Sequence, residues 1–81
     1  MTILVTGATG FLGGQLAAAL VRRGERVRVL RRERSSLIAL EGLPVEEVIG
    51  DILDPDAVAR AVTGCEVVYH VAALSTYWRA P

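Results

Sequence analysis

The 81-residue chain contains no lysine; all nine of its basic side chains are arginine. A phosphate-loop lysine and a lysine Schiff base are therefore excluded for this stretch of polypeptide. Cys65 is the sole cysteine, which rules out an internal disulfide and cannot assemble a zinc site, so no metal centre is expected. Net charge is also missing: nine acidic residues balance the arginines, and the sequence pI is about 6.6. That balance gives no electrostatic case for nucleic acid or an anionic membrane surface. Apolar runs such as Leu16 to Val21 and Val71 to Leu74 are far too short to span a bilayer. The opening Met1-Thr2-Ile3-Leu4-Val5-Thr6 lacks the basic flank of a secretory signal. Three prolines, with 52% hydrophobic and 22% charged residues, describe a folded domain rather than a disordered one. One small cytoplasmic domain over residues 1–81 is the expectation.

What is present is a regular alternation of strand-like and helix-like segments. Thr2 to Thr6 is β-branched, apolar on both faces and ends at Gly7, as a buried parallel strand does. From Phe11 to Arg23 the spacing of Leu12, Leu16 and Leu20 predicts an amphipathic helix, with arginines in its last turn and Gly24 as its stop. Arg26 to Leu30 alternates and reads as a second strand. A short helix over Leu37 to Leu40, capped by Ser35 or Ser36, is expected before Gly42, and a third strand from Val45 to Ile49. Asp54-Pro55 is a helix start, with Asp as N-cap and Pro at the first helical position. Ala57, Val58, Ala61 and Val62 form its apolar stripe, and Gly64 ends it. Glu66 to Val71 is a fourth strand.

This β-α-β-α-β-α-β pattern predicts an α/β fold, a Rossmann-type parallel sheet with right-handed crossovers and strand order 3-2-1-4. The strand order reverses between the first and fourth strands, so a ligand is expected above Gly7 and Val71. Gly7, Gly10 and Gly13 stand between the first strand and the first helix. There Gly7 permits the tight turn, Gly10 lets backbone approach a pyrophosphate, and Gly13 clears the helix–strand crossing. Unpaired N–H groups at the helix start suit phosphate. A βα turn without any ligand is the bland alternative.

Thr6-Gly7-Ala8-Thr9-Gly10-Phe11-Leu12-Gly13 resembles the Thr-Gly-x-x-Gly-Phe-[Leu/Ile]-Gly signature of the extended short-chain dehydrogenase/reductase family. Gly50-Asp51-Ile52-Leu53-Asp54 is similar to that family's Gly-Asp-[Leu/Ile]-x-Asp. His70-Val71-Ala72-Ala73 is similar to its fourth-strand segment. The ending His70 to Arg79 looks most like the branch holding dihydroflavonol reductases and the hopanoid-associated sugar epimerase. The resemblance implies cofactor contacts from Gly7, Thr9, Gly10, Phe11, Leu12 and Gly13 in the first turn. It adds Asp51 and Ile52 near adenine, and Val71, Ala72 and Ala73 between adenine ribose and nicotinamide.

The end of the second strand distinguishes NADP from NAD. Arginine there meets a 2′-phosphate, whereas an acidic residue grips the ribose 2′-OH. Arg31 and Arg32, with Ser35 and Ser36 nearby, point to NADP with Arg31 as the chief contact. The competing reading uses Glu33 as an NAD carboxylate, and a solvated arginine-rich loop is the third. Asp51 either meets the adenine amine or caps its own turn. His70 is expected to pack between sheet and helix rather than to act as acid or base. Cys65 reads as a small buried or turn residue. Tyr77 and Trp78 either contact substrate or have their partners elsewhere in a longer chain.

In the family a tyrosine acts as general acid/base, with a lysine four residues later. Here the residue four after Tyr69 is Ala73, and four after Tyr77 is Pro81, so no catalytic residue is assigned. The expectation is the cofactor-binding N-terminal segment of an oxidoreductase or sugar epimerase/dehydratase, inactive alone, with its catalytic and substrate-binding parts outside these residues. Alternatives are an NADP-sensing or partner-binding module without catalysis, or an inactive fragment. The fourth strand would expose an apolar edge, a route to self-association.

Overall fold

Every other element is arranged around β1 (Thr2–Thr6), whose Ile3, Leu4 and Val5 are buried on both faces. The computed structural model describes residues 1–34 and 40–71. Their order is β1, α1 (Phe11–Arg22), β2 (Arg26–Arg31), β3 (Glu46–Ile49), α2 (Pro55–Val62) and β4 (Val67–His70). The four strands form one parallel sheet in the order β3-β2-β1-β4, as the alternating pattern predicts. Val5 lies opposite Val29 on one side and Tyr69 on the other. The helix expected over Leu37 to Leu40 lies outside the described residues except for Leu40, which is buried against the α1 side of the sheet.

Alternation along the strands sends side chains to two cores. Ile3, Val5, Val27 and Val29 meet Ala17 and Leu20 of α1. Leu4 and Leu30 meet Ala57 and Ala61 of α2 on the opposite face. Strands covered on both faces read as unbroken apolar runs, which accounts for the sequence of β1.

The buried face of α1 differs from the expected leucine stripe. Gly13, Gly14, Ala17 and Leu20 are its buried residues, while Leu12 is 60% exposed and Leu16 only partly covered. Small residues win because the helix begins hard against the β1–α1 turn, where a leucine would not fit. A Cβ on Gly13 would lie 2.6 Å from the Gly7 carbonyl carbon and 2.9 Å from Ala8 Cα. Likewise the stripe of α2 narrows to Ala57 and Ala61, with Val58 partly buried and Val62 exposed. At the end of β3 a Cβ on Gly50 would come 2.5 Å from Ala57 Cβ, so glycine and alanine together set how closely α2 sits.

Helix ends follow the sequence signals. Gly24 takes a positive φ of 84°, and the N–H groups of Gly24 and Glu25 donate to the carbonyls of Val21 and Leu20, closing α1. Asp54 caps α2 through Oδ1, which accepts from the Asp56 amide at 3.0 Å, with Pro55 at the first helical position. β3 starts one residue later than expected because the Val45 amide donates to Leu43 instead of to the ladder. At its other edge β4 is shorter than expected by one residue at each end.

Arg28 supplies a contact that strand alternation does not disclose. Its Nη1 donates to the carbonyls of Ala61 (2.8 Å) and Thr63 (2.5 Å) at the end of α2, and its Nε to Glu46 Oε1 at 2.6 Å. One guanidinium thus joins β2, β3 and the C-terminus of α2, where carbonyls otherwise lack partners. The hydrogen bond to Glu46 raises the Arg28 pKa above its ordinary value, against a lowering from burial and with the help of the Cys65 and Glu46 charges.

Candidate functional site

The turn from β1 into α1 is built by glycine. Gly7 adopts φ +75°, the left-handed region, and its carbonyl accepts the Gly10 amide at 3.1 Å. α1 then begins at an N-cap, Gly10, that offers no side-chain hydrogen bond, and its first turn carries no acidic residue. Gly10 O accepts from Gly14, which leaves the three intervening amides at the helix start without an intrahelical acceptor. Those groups and the helix dipole make the turn a suitable seat for an anion.

Two depressions flank this turn. The first, about 130 Å³, opens at the C-terminal ends of β1, β2 and β3 and is lined by Thr6, Gly7, Thr9, Leu30, Arg31, Arg32, Gly50 and Ile52. It brings together the glycine turn, both arginines and Ile52 from three separate stretches of sequence. The second, about 380 Å³, lies on the β4 side and is lined by Leu12, Gln15, Leu16, Tyr69, His70 and Val71. The turn therefore separates a small cationic cleft from a larger apolar one.

The remaining expected site residues fall in different places. Gly13 serves packing, as described above, and Gly10 borders neither depression. Phe11 is 78% exposed and lines neither, whereas Leu12 walls the apolar one. Asp51 turns its Oδ1 to the Leu53 amide at 2.9 Å, which is the turn-capping geometry weighed for it. Glu33 does not line the cleft; its backbone carbonyl accepts from Arg31 at 3.3 Å. Ala72, Ala73, Ser35, Ser36, Tyr77 and Trp78 lie outside the described residues.

Arg31 is held in place. Its Nε donates to Glu47 Oε1 at 2.5 Å and its Nη1 to the carbonyl of Arg32 at 3.1 Å. Arg32 is exposed at the same cleft. His70 corrects the expectation that it packs under a helix: it is exposed, and its Nδ1 lies 2.6 Å from Thr6 Oγ1. Among the described residues the ring stays at the surface of β4 beside Thr6. Sequence reasoning overlooked Gln15, Leu16 and Leu30 as wall residues, because each reads as helix surface or core until the turn places it beside a depression.

Comparison with known proteins follows the same outline. A model described as the NAD dependent epimerase/dehydratase family matches residues 3–80. The chain is 51% identical over 73 residues to sterol demethylase protein B of Methylococcus capsulatus, covering 90% of this chain and 22% of that protein. It is 44% identical over 78 residues to a 2-alkyl-3-oxoalkanoate reductase of Stenotrophomonas maltophilia, covering 96% and 23%. With a Synechocystis protein carrying the name of a dihydroflavonol 4-reductase, identity is 40% over 75 residues, covering 93% and 22%. Among solved structures, gox2253 superposes with a TM-score of 0.84 at 41% identity, over 99% of this chain and 24% of its own. A short-chain dehydrogenase/reductase superfamily protein from Agrobacterium tumefaciens with bound NAD gives 0.74 at 34% identity, over 100% and 22%. The chain spans a quarter or less of the length of each of these proteins.

Proposed function

The chain belongs to the NAD dependent epimerase/dehydratase family, and from that premise we propose that it forms the NADP-binding segment of an oxidoreductase that interconverts a ketone and an alcohol. The observation that carries this reading is the cationic cleft, where Gly7, Thr9, Arg31 and Arg32 converge at the strand ends. The residues suit a dinucleotide on physical grounds. The turn has no Cβ at Gly7, Gly10 or Gly13, its helix starts with unpaired amides, and the guanidinium pair of Arg31 and Arg32 at the same cleft is of the kind that suits a ribose 2′-phosphate. The names of relatives that reduce oxoalkanoates favour carbonyl reduction over sugar epimerisation or dehydration.

In this reading the amides after Gly10 hold the pyrophosphate, and Arg31 with Arg32 forks onto the 2′-phosphate. Asp51 and Ile52 border the adenine. Leu12 and Val71 keep water from the nicotinamide side. When bound, the dinucleotide supplies the hydride donor or acceptor. The segment's own task is to bind and orient; the acid/base pair and the substrate pocket belong to other parts of the protein. Association of β4 with a second copy and a cytoplasmic location are parts of the same proposal. The sole cysteine, Cys65, is unpaired, and among the described residues no helix is long and apolar enough to cross a membrane.

Calorimetric titration with NADP and NAD tests the reading. NADP is expected to bind more tightly, with the preference lost in Arg31→Ala and reduced in Arg32→Ala. Equal affinity for both dinucleotides, unmoved by either substitution, would sink the 2′-phosphate assignment.

A further inference from the structure

We infer that Glu47, on β3, is the positioning residue for 2′-phosphate recognition: it holds the Arg31 guanidinium at the cleft, so the dinucleotide preference depends on a carboxylate that lines no part of the site. The inference rests on the NADP reading above and adds to it a residue from a different strand. In the β2–β3 register Glu47 lies opposite Val29, and Arg31 opposite Ile49. Side chains two apart on a strand share a face, so Glu47 and Arg31 meet diagonally across the ladder. Their contact is the 2.5 Å bond from Arg31 Nε to Glu47 Oε1, with the arginine side chain only 15% exposed.

Two backbone contacts complete the anchorage. Arg31 Nη1 donates to the carbonyls of Arg32 and Glu33. Together the bonds fix the guanidinium plane through Nε and Nη1 and leave Nη2 outside these contacts. A long side chain already fixed loses little freedom when it meets a phosphate, whereas a loose one must be ordered at that moment. The strand ends are tied as well, since the Gly50 amide donates to the Arg31 carbonyl at 2.9 Å. Arg31 and the cleft wall at Gly50 are therefore joined through the backbone.

A carboxylate beside a phosphate-binding arginine also has an opposing effect, because its charge partly offsets the cation. Two observations decide between the effects. Glu47 is absent from the cleft wall while Arg31 is part of it, and Arg32 contributes a second cation there. The phosphate meets the guanidiniums first, and the carboxylate acts behind one of them. Since NAD has no 2′-phosphate, the consequence is confined to NADP.

The test is titration of the full-length protein with NADP and with NAD, in wild type, Glu47→Ala, Glu47→Gln, Arg31→Ala and the Glu47→Ala/Arg31→Ala double variant. Glu47→Ala is expected to weaken NADP about tenfold, the scale of one charge-assisted contact, and to leave NAD unchanged. Glu47→Gln keeps an acceptor for Nε and recovers most of the loss. In the Arg31→Ala background, Glu47→Ala adds nothing. Unchanged or tighter NADP binding in Glu47→Ala, while Arg31→Ala weakens it, overturns the role of Glu47 alone. Equal weakening of both dinucleotides also overturns it, as the mark of a purely structural residue. If Arg31→Ala leaves the NADP preference intact, the 2′-phosphate assignment itself fails and takes this inference with it. Thermal melts of each variant separate lost folding from lost binding.

Discussion

Gly10 and Gly13 stand three residues apart in the same turn, yet one added carbon acts differently at each. At Gly13 the new atom would press into the Gly7 carbonyl and the Ala8 backbone, neither of which can rotate away. Gly13→Ala is therefore expected to cost about 2–3 kcal/mol of stability, seen as a lower urea midpoint with unchanged slope. At Gly10 the nearest atom is Gly7 O at 3.5 Å, an ordinary contact. Gly10→Ala should keep the urea midpoint close to wild type and weaken dinucleotide binding, because the methyl occupies the approach to the phosphates. If both variants lose stability equally, the division of labour within the turn is wrong. The structure thereby gives the steric reason for Gly13, the glycine that the motif reading sets at the helix–strand crossing.

At the scale of elements, the Arg28 clasp adds to the local end of α2, where Gly64 takes a positive φ and the Cys65 amide donates to Val62. Arg28→Leu keeps an apolar stem on the strand but abandons two helix carbonyls and Glu46. A loss of about 2 kcal/mol is expected, with faster amide exchange confined to the last turn of α2 and to β3. Because Glu46 raises the Arg28 pKa, the charged form is favoured in the fold. Its stabilisation is complete below the ordinary arginine range and lost only as pH rises through the raised value. The Arg28→Leu deficit should therefore be flat between about pH 5 and 9. The same scale shows what was legible in the sequence. Turns, caps and parallel order follow from local chemistry: Gly7, Gly24, Asp54-Pro55 and the unbroken apolar β1 each carry their reason within a few residues. The buried face of α1 was not legible, since it depends on how near the helix comes to Gly7 and Ala8. Nor were the partners of Arg28 and Arg31, because strand alternation shows which face a side chain shares but not what crosses from the next strand or helix.

For the molecule as a whole, the sheet is unequal at its two edges. β4 pairs only with β1, and Val68 and Tyr69 remain 48% and 42% exposed among the described residues. An apolar parallel strand left open invites another strand. A polypeptide of residues 1–81 alone should accordingly sediment as a concentration-dependent oligomer, and Val68→Lys should shift it toward monomer. A monomer at all concentrations in both forms would remove the edge as an association site. The central position of β1 has a further consequence, in time rather than space. Ile3 lies in register between Val27 and Val67, so on the ribosome β1 is made before either of the strands that flank it. Until Val67 has been added, the nascent chain carries Ile3, Leu4 and Val5 with one flank open, and the β1–β4 pairing waits on all the elements between them.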